Sequence, residues 1–189
     1  LGAYIQRLRT GEGQFVDTSL LEASMVHTYW PAAIALATGH SPGPMGSAHP
    51  VAAPYQAFPT ADGWINIGAI GQSNWERIPA VLDLPTLVTD PRFANNGARM
   101  QHREALVDTM SAVLKTRSTD DWVQRFEQAG VPAGPVKTMT QVLEDPQVRE
   151  RDMVIEVDHP IAGRVGALGC PIKFSAGSGV SRRGAPLYG

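Results

Sequence analysis

Between Thr38 and Pro54 the chain carries three glycines and four prolines: Gly39, Gly43 and Gly46, with Pro42, Pro44, Pro50 and Pro54. No helix or strand interior tolerates that density. Proline removes a backbone donor and clashes with the preceding turn, and glycine loses the most entropy on ordering. The segment predicts a linker or a functional loop, with a helical part before it and a mixed part after it. Before it, Leu1, Tyr4, Ile5 and Leu8 fall at helical spacing, and their stripe stops at Arg9-Thr10-Gly11 as helix C-termini prefer. Ser19-x-x-Glu22 is a capping box, opening a helix with Leu21, Met25, Tyr29 and Ala32 on one face that Pro31 is expected to kink.

After the break the pattern predicts a compact α+β unit. Tyr55 to Pro59 and Trp64 to Ile70 read as strands joined through Asp62-Gly63, a strong hairpin signal. Ser73-x-x-Glu76 and Thr138-x-x-Gln141 have the form of capping boxes, and Asp90-Pro91 and Asp145-Pro146 of caps followed by a first helical residue. Leu106, Met110, Val113 and Leu114 form one helical stripe, and Trp122, Phe126 and Ala129 another, opened by Ser118 and closed by Gly130. Gly134 to Lys137 suggests a further strand. Val154 to Val157 and Arg164 to Leu168 are expected to pair as a ribbon, and Ser175 to Gly184 is rich in glycine, serine and arginine.

Charge and residue usage narrow the function classes. With 16 basic against 18 acidic residues, net −2, no surplus exists to neutralise phosphates, so a nucleic-acid partner is not expected. The most apolar stretch, Pro31 to Ala37, is too short to span a bilayer, so no membrane association is expected either. The single Cys170 cannot form an internal disulfide, which fits a cytoplasmic location, and beside Pro171 it is expected to pack as a small hydrophobe. His27, His40, His49, His102 and His159 show no i, i+4 pairing, so no metal site is expected. No G-x-S-x-G elbow occurs. Gly68-x-x-Gly71 is better read as a strand-to-helix turn than as a phosphate cradle, and Asp62 as a turn residue. Trp64, Trp75 and Trp122 are expected in the core. The segment Met45-Gly46-Ser47-Ala48-His49-Pro50, leading into Ala53-Pro54-Tyr55, is equally a linker or a binding loop.

Several phrases, taken in order, resemble one family. Gly11-Glu12-Gly13-Gln14-Phe15-Val16-Asp17-Thr18-Ser19-Leu20-Leu21-Glu22-Ala23 matches its G-x-G-Q-x-V-D-x-S-L-x-E-A segment. Ala53-Pro54-Tyr55 and Phe58-Pro59-Thr60-Ala61-Asp62-Gly63-Trp64 match A-P-Y and F-x-x-x-D-G-W. Asp90-Pro91-Arg92-Phe93, Arg99, Ala129 to Val136, Gly169 to Ser175 and Ala185-Pro186-Leu187 come next, in the family's order. The sequence thus resembles the class III CoA-transferases, of the formyl-CoA and carnitine CoA-transferase type, a family that also includes α-methylacyl-CoA racemases.

The resemblance implies an α/β fold: a Rossmann-like large domain, a small α+β domain, and two chains threaded as an interlocked homodimer. Mapped onto this sequence, residues 1–45 are helices of the large domain and linker, 46–150 the small domain, and 151–189 a return linker and C-terminal part of the large domain. It implies coenzyme A thioesters as substrates, no separate cofactor, and CoA transfer between an acyl-CoA and a carboxylic acid through an aspartyl intermediate. The family's aspartate precedes the G-x-G-Q segment. The nucleophile is therefore expected upstream of Leu1, outside this sequence, and the chain alone is expected to be inactive. Asp17, in the V-D-x-S segment, is structural in that pattern. Gly46, Ser47, His49 and Tyr55 remain as candidates for acyl or CoA contact. Alternative expectations are a racemase, which moves an α-proton with an acid/base pair, and a non-catalytic oligomerisation or interaction module.

Overall fold

The computed structural model describes residues 1–176 and 184–187, so most of the glycine- and arginine-rich stretch near the C-terminus lies outside the described residues. The chain divides into two units, Leu1–Val51 and Ala52–Gly189.

The first unit is helical. Helix α1 (Gly2–Thr10) ends where Gly11 turns left-handed at φ 79° and its N–H donates to the Arg7 carbonyl. Helix α2 (Leu20–His27) opens on the expected box: the Glu22 N–H donates to Ser19 Oγ, and the Ser19 N–H to the Glu22 carboxylate. Pro31 does more than kink the helix. The helix stops at Thr28 and resumes as α3 (Tyr29–Thr38), because a proline ring collides with the carbonyl four residues back, here that of His27. The Thr28 N–H and hydroxyl both return to the Met25 carbonyl, 3.1 and 2.8 Å away. No residue of the three helices is buried, and the α1 stripe stays exposed at Leu1, Tyr4, Ile5 and Leu8.

In the second unit, β1 (Tyr55–Pro59) and β2 (Trp64–Gly68) pair antiparallel around Asp62-Gly63, setting Phe58 opposite Ile65 and Tyr55 opposite Gly68. Helices α4 (Gln72–Trp75), α5 (Ile78–Val81) and α6 (Thr86–Thr89) come next, then a 3-10 turn at Pro91–Phe93 capped by Asp90. Beyond the turn lie α7 (Asn96–Gln101), α8 (Arg103–Leu114) and α9 (Thr119–Gln128). Strand β3 (Ala133–Pro135) then pairs antiparallel with β2, giving the order β1-β2-β3. It lies one to two residues earlier than the sequence suggests.

One core holds this unit together. Ile65 and Ile67 alternate inward from β2 onto Leu106, Met110 and Leu114 of α8 and Trp122 and Phe126 of α9. Burying each such side chain contributes about 1.5–3 kcal/mol. The indole N–H of Trp122 is satisfied by the Leu114 carbonyl at 2.7 Å. Trp75 is buried as expected, but Trp64 is 52% exposed: period-two alternation puts it on the face opposite Ile65 and Ile67. Ser73 is no cap either. Gly71, extended at φ −85° and ψ 149°, takes the N-cap place, and Ser73 lies inside α4.

Beyond the core, α10 (Met139–Glu144) starts on the Thr138/Gln141 box and α11 (Pro146–Glu150) on the Asp145 cap. The ribbon forms as expected from β4 (Val154–His159) and β5 (Gly163–Leu168), and the Gly169 N–H closes its base on the Met153 carbonyl at 3.0 Å. Cys170 is half-buried. No helix among the described residues is long and apolar enough to cross a membrane.

Candidate functional site

The glycine- and proline-rich segment makes a tight turn at Met45–Ala48, closed by the Ala48 N–H on the Met45 carbonyl at 3.0 Å. Gly46 sits at φ 59°, a conformation few residues with a Cβ adopt, and an added Cβ would meet nothing within 4 Å. Gly46 and Ser47 are exposed, whereas His49 is half-buried. The imidazole of His49 stands edge-on to Trp30 at 5.9 Å, and its Nδ1 accepts the Val51 N–H at 3.3 Å. With Nδ1 accepting, the neutral ring carries its proton on Nε2. Three of the four candidate residues thus lie within four consecutive positions of the first unit, Gly46 to His49.

Tyr55 belongs to the second unit. Its ring lies over Gly68, where a Cβ would come within 3.4 Å of Cε2, so glycine lets the phenol lie flat against β2. The Gly68 N–H donates to the Pro132 carbonyl at 2.9 Å and the Ala69 N–H to the Pro54 carbonyl at 3.0 Å. Those two amides are spent on the fold.

Helix α7 meets the entry to β1. Its Asn96 Oδ1 accepts the Ala53 N–H at 3.1 Å, and its Arg99 Nε donates to the Ala53 carbonyl at 2.6 Å. Arg99 is fully buried. Its Nη1 also donates to Gln72 Oε1 at 3.0 Å and to the Phe93 carbonyl at 3.1 Å, and the guanidinium stacks 4.8 Å above Trp75. Burial alone pushes its pKa below the ordinary arginine value, yet arginine stays protonated at any usable pH. In the sequence Arg99 stands out only as one letter of a family pattern. One signal points further: Arg99 lies seven residues before Leu106, in phase with the apolar stripe of α8.

The hairpin tip forms the side of a cleft of about 460 Å³, lined by Asp62, Trp64, Thr119, Val136 and Lys137 among others. Asp62 Oδ1 accepts the Thr119 N–H at 2.8 Å and the Thr119 hydroxyl at 2.9 Å, so the turn residue also tethers the N-terminus of α9. The Thr119 N–H, then its hydroxyl, holds the Asp62 carboxyl below its ordinary 3.8. Arg92 and Lys137 do the same for Asp90 and Asp145. Depressed carboxyl pKa values give stability that is present above the unfolded value of about 3.9 and lost as pH falls through the folded values. The melting temperature is therefore expected to fall between pH 6 and pH 3, and Asp62→Asn to fall less over that range. An Asp62→Asn curve parallel to the parent's would remove Asp62 from the account.

Among the described residues, no group of three or more His, Cys, Asp or Glu side chains is placed to hold a metal ion. A family model described as CoA-transferase family III matches residues 1–189. An acyl-CoA transferase of Fusarium pseudograminearum is 36% identical over all of this chain and 42% of its own length. The succinyl-CoA:glutarate CoA-transferase of Homo sapiens is 32% identical over all of this chain and 43% of its own. A crystal structure of a CAIB/BAIF family protein from Brucella suis superposes with a TM-score of 0.82 at 35% identity, covering 98% of this chain and 48% of that one. The chain thus spans less than half the length of these relatives.

Proposed function

The chain belongs to CoA-transferase family III, and from that membership we propose that it forms part of an enzyme moving CoA between an acyl-CoA and a carboxylic acid. The match over the full length of the chain carries the reading. The human relative, named for succinyl-CoA and glutarate, makes that pair the first substrates to test. In this chemistry a carboxylate attacks the thioester carbonyl, giving a mixed anhydride and a CoA thiolate. The thiolate then attacks the enzyme carbonyl of the anhydride, giving an enzyme thioester and releasing the donor carboxylate. The acceptor carboxylate displaces the thiolate to form a second anhydride, and thiolate attack on the acceptor carbonyl yields the new acyl-CoA and the free enzyme carboxylate.

Some of the chain's eighteen carboxylates have partners of their own. Asp62 tethers Thr119, Asp90 pairs with Arg92, Asp121 with Arg117 and Arg125, Asp145 with Lys137, and Glu156 with Arg164. In the family pattern the aspartate precedes the G-x-G-Q segment, which supports a nucleophile outside these 189 residues, with Gly46, Ser47, His49 and Tyr55 contributing acyl-CoA contacts. The same reading has two copies assembled as an interlocked homodimer in the cytoplasm. The relatives named above are transferases, which favours transfer over racemisation.

Mass spectrometry tests it. The protein containing these residues is expected to convert succinyl-CoA and glutarate to glutaryl-CoA and succinate. Loss of the α-deuterium from a labelled 2-methylacyl-CoA, without exchange, would replace transfer by proton movement. The 189-residue chain alone is expected to give no exchange, and a rate proportional to its concentration would return the nucleophile to this sequence.

A further inference from the structure

Two sequence phrases that the transfer chemistry leaves unexplained, Asp90-Pro91-Arg92-Phe93 with Arg99 and Ala53-Pro54-Tyr55, meet at one residue. Asn96 and Arg99 stand three apart on α7, hence on one face of the helix. Between them they take both polar backbone groups of Ala53, its N–H on Asn96 Oδ1 and its carbonyl on Arg99 Nε. A neighbouring strand would normally supply such a pair of bonds. Here a helix supplies them, and regular pairing begins two residues later, with Tyr55 opposite Gly68.

The grip is itself mounted. Asp90 caps the 3-10 turn by accepting the Arg92 N–H at 2.9 Å, which fixes the Phe93 carbonyl that receives Arg99 Nη1 at 3.1 Å. Gln72 Oε1 accepts from the same Nη1 at 3.0 Å and Gln72 donates its Nε2 to the Ala94 carbonyl at 3.1 Å. Trp75 provides the floor under the guanidinium, and its ring meets Phe93 edge-on at 6.3 Å. Arginine suits this place because its planar fork reaches several acceptors at fixed angles, which a lysine ammonium does not.

We propose that Asn96 and Arg99 are positioning residues: together they clamp the backbone of Ala53 and so fix the entry of Tyr55 into β1. That the held tyrosine serves acyl-CoA binding rests on the transfer reading; the clamp itself does not.

The test is amide exchange and NMR on the 189-residue chain. In Asn96→Ala the Ala53 amide is expected to exchange about tenfold faster, and the Gly68 α-proton resonances, shifted by the Tyr55 ring, to move toward unshifted values. The α8 amides from Leu106 to Leu114 are expected to keep their rates. Asn96→Asp retains an oxygen acceptor and is expected to restore both signals. Unchanged protection at Ala53 in Asn96→Ala, or equal loss along α8, overturns the clamp, as does an Asn96→Asp protein that behaves like the alanine variant. These readouts need no catalysis. Absence of CoA exchange by the longer protein that contains these residues would sink the transfer reading and leave the clamp to be decided by amide exchange alone.

Discussion

Gly169→Ala is expected to detach the β4–β5 ribbon from its base. A Cβ at Gly169 would land on the carbonyl oxygen of Asp152, with the carbonyl carbon at 3.0 Å and Met153 Cα at 3.3 Å. All three atoms are backbone, so no side chain can rotate away. The glycine is required by contact and not by conformation, since its φ is not in the left-handed region. Asp152, by contrast, is held left-handed at φ 48°, so this corner has little freedom to yield. The shift needed breaks the Gly169 N–H bond to Met153 and opens the neighbouring Val154–Leu168 pair. A cost of about 3 kcal/mol or more is expected from overpacking against rigid backbone. A two-stranded ribbon is marginal alone, so the loss should be local. Amide protection is expected to vanish from Val154 to Leu168 while α8 and α9 keep theirs. A ribbon as protected as in the parent would refute the steric account.

The second large effect is at Arg99. Arg99→Ala removes the largest buried polar side chain of the unit and strips the Ala53 and Phe93 carbonyls of their donor. Each unsatisfied carbonyl costs about 1–3 kcal/mol, and the space left under Trp75 adds a cavity cost. The total is on the order of 4–5 kcal/mol, a large share of the ~5–15 kcal/mol that holds a domain folded. Arg99→Met is expected to cost less, about 2 kcal/mol. It keeps most of the volume and relieves a burial penalty, since no ion pair among the described residues includes Arg99 and its Nη2 has no acceptor. Urea midpoints of the three proteins decide the matter. A methionine variant as stable as the parent would mean that the guanidinium hydrogen bonds contribute nothing net.

Arg99 also marks where sequence reasoning stops. Local signals that encode their own partner read correctly: Ser19 with Glu22, Thr138 with Gln141, the Asp62-Gly63 turn, and the caps at Asp90 and Asp145. Ser73-x-x-Glu76 has the same letters and fails, because a cap needs an extended backbone and Gly71 is the residue that supplies it. Residue type misplaces Trp64 in the core, although the alternation Trp64-Ile65-Asn66-Ile67 already puts it outside. Of the candidate binding residues, Gly46 is legible as a position that needs glycine, and Tyr55 as the opening of a strand. The residues that hold Tyr55 are not legible. Asn96 and Arg99 act on a residue more than forty positions away, and nothing in a helix of six residues announces which distant peptide group it will grip.

The placement of β3 bears on the order of assembly. Strands β1 and β2 are joined by four residues, so they meet at almost no loop-closure cost, whereas Ile65 must wait for Pro135. What bridges that gap is α9, which passes directly into β3 through the left-handed Gly130, with the Val131 N–H on the Phe126 carbonyl at 2.9 Å. Helix and strand are therefore expected to arrive as one piece, with the Thr119 amide at its front bound in the folded state by Asp62 at the hairpin tip. This topology predicts nucleation by docking of two pieces, hairpin and helix–strand, with one carboxylate registering them; φ-values at Ile65 and Phe126 well above those of the β4–β5 ribbon are the expected result.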